Sequence, residues 1–135
     1  MITSKIEYLG ELRTNAIHLQ SGNSILTDAP TDNHGKGEAF SPTDLIATAL
    51  GSCMISIMGI KLIGTGKDII GTTAEVTKVM YSEPRRIGEI HILINVPDNG
   101  FSDKEKQILI HAAYACPVAK TLHPDIKQEI KILFN

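Results

Sequence analysis

Tryptophan is absent, and the other aromatics are few: three Phe and three Tyr. A core built from this chain must be aliphatic, and there is no aromatic pattern on which nucleic-acid bases could stack. Neither charge is in excess. Thirteen Lys and Arg face fifteen Asp and Glu, for a net charge of −2, which argues against nucleic acid or an anionic membrane as an electrostatic partner. Cysteine is nearly missing as well. Cys53 and Cys116 stand 63 positions apart, which is no secreted disulfide framework; in a reducing compartment such a pair is inert or redox-active. The opening ITSKIEYL is strand-like and lacks the basic start and apolar stretch of a signal peptide, so the expected location is cytoplasmic. No phosphate loop, G-x-S-x-G elbow, internal repeat or low-complexity segment is present. At 135 residues the chain is expected to form one domain, 1–135, with a real core.

What the chain does have is a long apolar stretch, SPTDLIATALGSCMISIMGI, from Ser41 to Ile60. Ser41 is a natural N-cap, Pro42 suits the first helical position, and Asp44 follows the cap by three residues as in a capping box. From Leu45 to Ile60 there is no charge, and apolar residues fall on nearly every face. Such a helix is a membrane span or the buried axis of a soluble core. A span wants about twenty predominantly apolar residues, and here Thr48, Gly51, Ser52, Ser56 and Gly59 interrupt the run. The buried axis is the better reading. It needs cover on all sides, which one small domain is hard pressed to supply.

The remaining segments alternate between strand and helix patterns. Ile2–Leu9, Glu11–Leu19 and Ser24–Asp28 read as antiparallel strands separated by Gly10 and by Ser21-Gly22-Asn23. A polar loop, Ala29 to Phe40, leads to the helix cap, and loops of this length often border sites. After the helix, Gly64-Thr65-Gly66 stops the structure. Strand-like runs Ile69–Tyr81 and Ile87–Val96 follow, joined by Pro84-Arg85-Arg86. Ser102 and Glu105 form a second capping box, opening a helix with the stripe Ile108, Leu109, Ala112, Ala113 and Cys116. Pro117 must disturb that helix, and a restart after it would set Cys116 near a new N-terminus. Ile126 to Phe134 alternates as a closing strand. The order βββ–α–ββ–α–β predicts an α+β fold with an antiparallel sheet.

Four kinds of residue could carry chemistry. Free cysteine is among the most buried residue types, so Cys53 and Cys116 can both be plain core residues. A reactive thiol needs a nearby cation or helix N-terminus and some exposure. Along its own helix Cys53 has no cation before Lys61, about two turns on, so an activating charge must come from elsewhere in the fold or from another subunit. Cys116 has His111, Lys120 and His123 close in sequence. The H-x4-C-x6-H spacing of His111, Cys116 and His123 matches no usual zinc site, and no metal is expected. Arg13 on its strand reads as an edge residue, and Arg85-Arg86 as surface charge. His34, in the glycine-bearing loop, and Glu38, which ends it, are the candidate substrate-binding positions.

The two cysteine motifs together, SPTDLIATALGSC around Cys53 and HAAYACPVAKTLHP around Cys116, resemble the OsmC/Ohr superfamily of osmotically inducible and organic-hydroperoxide-resistance proteins, over essentially the whole chain. LGSC with CPVAK is most similar to the OsmC-like branch. The resemblance implies a thiol-dependent peroxidase acting on organic hydroperoxides. Cys53 would be the peroxidatic cysteine, which becomes a sulfenic acid, and Cys116 the resolving cysteine, which condenses with it to a disulfide; a dithiol reductant then restores the pair. It implies no metal or organic cofactor, and an intertwined homodimer with long helices between sheets built from both chains and active sites at the subunit interface. It further implies an arginine and an acid, contributed across the dimer, that hold the thiolate. Arg13, in GELRTNAIH, matches the arginine. The position that carries the acid in Ohr-type motifs is Thr43, and the acid here is Asp44, with Glu38 in reserve. The alternative is an OsmC-like dimer that binds a ligand or serves a stress-related role without peroxidase activity.

Overall fold

The computed structural model describes all 135 residues, Met1–Asn135. By internal contacts the chain divides into two units, Met1–Ile46 and Ala47–Asn135, where the sequence suggests one domain. The elements are β1 (Ser4–Gly10), β2 (Arg13–His18), β3 (Ser24–Asp28), α1 (Pro42–Lys61), β4 (Thr73–Tyr81), β5 (Arg86–Val96), α2 (Asp103–Tyr114), α3 (Pro117–Thr121) and β6 (Lys127–Phe134). The expected α+β order holds, with the second helix broken in two at Pro117.

The first unit is an antiparallel meander, β1-β2-β3. Its tight turn, Glu11-Leu12, has both residues at positive φ (54° and 63°), as the two-residue hairpin turns that match strand twist require. Neither residue is the Gly or Asn such positions favour, so the turn carries strain immediately before Arg13. Loop 29–40 leaves and returns at nearly one point: the Asp28 N–H donates to Phe40 O (3.1 Å) and the Ala29 N–H to Leu12 O (3.1 Å). Gly35 is obligatory there, because a Cβ at that position would stand 1.6 Å from Ala29 O. α1 begins with the reciprocal cap foreseen in the sequence. The Asp44 N–H donates to Ser41 Oγ (3.1 Å), and the Ser41 N–H to the Asp44 carboxylate (3.0 Å).

The second unit is a mixed sheet, β4-β5-β6. β4 and β5 are antiparallel, but β6 lies parallel to β5, so the sheet is not antiparallel throughout. The chain between β5 and β6 is long enough to hold α2 and α3, and such a helical crossover returns a strand in the parallel sense. β5 alternates faces: Ile90, Ile92, Ile94 and Val96 are buried, while Glu89, His91, Leu93 and Asn95 are half-buried. By length and composition α1 could cross a membrane. Here its Leu50, Met54 and Met58 are fully buried in the same core as the β5 isoleucines. Gly51 allows close approach to the sheet, since a Cβ there would lie 3.1 Å from Val76 Cγ2 and 3.7 Å from Ile92 Cδ1. The opposite face of α1 is not covered: Ile46, Ala49, Ser52, Ser56 and Ile60 are exposed. The buried axis expected from the sequence is thus buried along one side in a single chain.

Candidate functional site: a thiol pair and an arginine clamp on a buried aspartate

The second unit brings Cys53 and Cys116 together. Cys53 lies one position before Met54 on α1 and is half-buried against the core. Cys116 has no solvent exposure and caps α3, its Sγ accepting the Ala119 N–H at 3.3 Å. Pro117 produces this arrangement. It cannot continue α2 but fits the first turn of a new helix, which leaves Cys116 extended at the junction as the cap. Gln128 on β6 donates to Ala119 O (3.2 Å) and fastens the turn to the sheet. Both thiols are free. Burial pushes the Cys116 thiol up, and the Cys53 thiol within hydrogen-bonding reach raises it further, against the lowering effect of the Ala119 N–H. Cys116 is therefore a protonated thiol at neutral pH, held beside a more accessible one.

The first unit assembles charge around Arg13. Arg13 and Asp28 are direct partners in the β2–β3 register. The guanidinium grips the Asp28 carboxylate with two bonds, Nε to Oδ1 at 2.7 Å and Nη2 to Oδ2 at 2.8 Å. Asp28 is fully buried. The returning loop adds the Glu38 N–H to Asp28 Oδ2 (3.1 Å) and the Glu38 carboxylate to Arg13 Nη2 (3.4 Å). The Arg13 guanidinium holds the Asp28 carboxyl below its usual range, opposed by burial and assisted by the Glu38 N–H. Arg13 is raised in turn, chiefly by Asp28. At the edge of the cluster Lys36 pairs with Glu11 at 2.8 Å.

Within the single chain Arg13 thus pairs with Asp28 and with Glu38, the acid held in reserve, while the Asp44 carboxylate accepts the Ser41 N–H at the helix cap. The physical reason is register. Strand pairing delivers Asp28 opposite Arg13 with no chain to spare, and a helix-start acid has its own backbone donor three residues back. Asp28 was missed in the sequence: counting outward from the turn read at Ser21–Asn23 sets Thr31 opposite Arg13, and the observed register, with Ile17 opposite Ser24, is what sets Asp28 there. His34 is exposed and ends the short 3-10 turn Thr31–Asn33 at φ 68°.

Two other features bear on ligands. Ligand atoms of Glu89, His91 and Glu129 lie within 4.8 Å of one another. His91 Nε2 is 2.8 Å from Glu89 and 3.1 Å from Glu129, while Tyr81 and Lys127 take the remaining carboxylate oxygens at 2.7 and 2.8 Å. That is a solvated ion network whose members already satisfy one another. A groove of about 640 Å³ beside it is lined by Glu75, Thr77, His91, Glu129 and Lys131, among others, and holds neither cysteine. His111 and His123 are exposed while Cys116 is buried.

Comparison with known proteins bears on the whole chain. A family model for OsmC-like proteins matches residues 35–131. A crystal structure from Psychrobacter arcticus 273-4, provisionally named for an osmotic stress induced and detoxification response, is 59% identical, with 98% of this chain and 96% of that one covered and a TM-score of 0.92. The organic hydroperoxide resistance protein OsmC of Legionella pneumophila shares the fold at 14% identity, covering 98% of each chain with a TM-score of 0.70. The organic hydroperoxide resistance protein OhrB of Bacillus subtilis does so at 14% identity, covering 97% of this chain and 98% of that one with a TM-score of 0.66. No curated protein matches. With the family model spanning most of the chain, a close relative matching nearly all of it, and two thiols held side by side where the helix motifs meet, this protein belongs to the OsmC-like family.

Proposed function

We propose that this protein is a stress-related thiol peroxidase that reduces organic hydroperoxides. The observation that carries the reading is the adjacency of a half-buried Cys53 and a fully buried Cys116, whose thiol is held above its ordinary range by burial. The Cys53 thiolate attacks one peroxide oxygen, the O–O bond breaks, and the departing alkoxide takes a proton to leave as an alcohol. Cys53 is then a sulfenic acid. Cys116 attacks its sulfur, the S–OH bond breaks, and the Cys116 proton departs with the hydroxyl as water, leaving a disulfide. A dithiol reductant takes the disulfide back to two thiols and is itself oxidised. One hydroperoxide and two thiols thus give one alcohol, one water and one disulfide.

The working form is a homodimer. Supporting this are the uncovered face of α1 and an apolar groove of about 440 Å³ lined by Ile55, Gly59, Leu62, Ile63, Ile69 and Ile70. In the dimer the partner's Arg13 supplies the cation that stabilises the Cys53 thiolate, because a permanent positive charge favours the ionised form of a neighbouring thiol. Glu38 and His34 border the approach of the hydroperoxide. The relatives named for organic hydroperoxide resistance support the substrate class.

The test is intact mass after a brief, stoichiometric exposure to cumene hydroperoxide. Loss of two hydrogens from the chain is expected, reversed by dithiothreitol. An unchanged mass, with the hydroperoxide unconsumed, would reject the peroxidase reading.

A further inference from the structure

We propose that Asp28 is the positioning residue that fixes the guanidinium of Arg13 for its part in the reaction, the role expected of Asp44. The proposal rests on the peroxidase reading given above.

Three observations carry it. Asp28 is fully buried, and a buried carboxylate is retained only where it is paired and hydrogen-bonded. Its pairing is bidentate on the Nε and Nη2 edge of Arg13. Two parallel bonds fix the plane of a guanidinium as a single contact cannot, and that grip leaves the Nη1 donors for another anion. Asp28 is also over-determined. The strand register sets it opposite Arg13, and the Glu38 N–H, brought back by loop 29–40, holds Oδ2 from a second direction. Glu38 differs in each respect: its side chain is 65% exposed, and its one contact with Arg13 is 3.4 Å. The strained turn at Glu11-Leu12 ends at Arg13 itself. Backbone strain of this kind persists where the surroundings enforce it, and it clusters at functional positions.

A reacting thiolate gains from a cation whose direction is already set, because no reorganisation is then needed as charge develops on the sulfur and peroxide oxygens. Without Asp28 the arginine would keep its charge and lose its aim. A salt bridge that merely held the meander together would have no such effect on a thiol.

The experiment measures the rate of iodoacetamide alkylation at Cys53, mapped by peptide mass, as a function of pH in the full-length protein. Asp28→Asn is expected to slow alkylation at neutral pH by about tenfold, with the deficit closing as the pH rises and the thiolate forms unaided. In an Arg13→Ala background the same substitution should add nothing, since Asp28 acts through Arg13. Equal slowing in both backgrounds, or slowing by the same factor at every pH, would overturn the proposal. Should Asp28→Asn fail to fold, Arg13→Lys decides the matter, because it keeps the charge and removes the fork. Its rate is expected to fall to that of Arg13→Ala, and a wild-type rate would show that charge without orientation suffices. Consumption of cumene hydroperoxide by the unaltered protein is scored separately, so loss of the peroxidase reading and loss of the Asp28 assignment give different patterns.

Discussion

Arg13 and Asp28 face each other across adjacent antiparallel strands, and their side chains close a two-bond clamp of 2.7 and 2.8 Å around a carboxylate with no solvent exposure. The first consequence is for stability in acid. Asp28 binds its proton less readily folded than unfolded, where an aspartate titrates near about 3.9. Its contribution is therefore fully present above that unfolded value and is lost as the pH falls through the lower folded value. The difference in thermal stability between wild type and Arg13→Ala should stay level from pH 8 to about 5 and shrink below about 4. Thermal melts followed by circular dichroism across that range check it; a gap unchanged to about pH 2 would sever the link.

The two thiols are expected to differ in fate. Cys53→Ser should abolish hydroperoxide consumption, since no other sulfur is both accessible and next to Cys116. Cys116→Ser should allow one oxidation and then stall, with Cys53 as a sulfenic acid that dimedone traps or that oxidises further. Stopped-flow consumption and mass spectrometry read both outcomes. Continued turnover by Cys116→Ser with a dithiol reductant would mean that Cys116 resolves nothing.

Light scattering should return twice the single-chain mass of 14.7 kDa. Ser56→Arg places a charge on the exposed stripe of α1, away from the buried Leu50, Met54 and Met58. It should shift the population toward single chains. A wild-type protein that stays monomeric at micromolar concentration would refute the dimer, and the supply of Arg13 across it.

Gly51 tests how closely α1 must approach the sheet. Gly51→Val puts two methyl groups against Val76 and Ile92, where even a Cβ would be 3.1 Å from the nearest atom. Overpacking of this kind costs about 1–3 kcal/mol, to be read from urea denaturation midpoints. Reactivity should fall too, since Gly51 lies two residues before Cys53. A neutral result would mean that α1 has room to shift.

Local signals made most of the fold legible. Ser41 with Asp44 and Ser102 with Glu105 announced two helix starts, because a cap is a bond between residues three apart. The alternation of Ile90, Ile92 and Ile94 marked the buried face of β5, because strand side chains alternate faces. Pro117 foretold the break after α2 and the place of Cys116 at the restart, since proline's missing N–H and fixed ring act on its immediate neighbours. Tertiary structure alone decided the rest. The parallel sense of β6 depended on the path that α2 and α3 take over the sheet. The meeting of Cys53 with Cys116 depended on packing between segments 63 positions apart. The carboxylate that faces Arg13 within the chain was decided by register: Asp28 stood across the strand, where it could be fully buried only because a guanidinium and a returning loop N–H enclosed it.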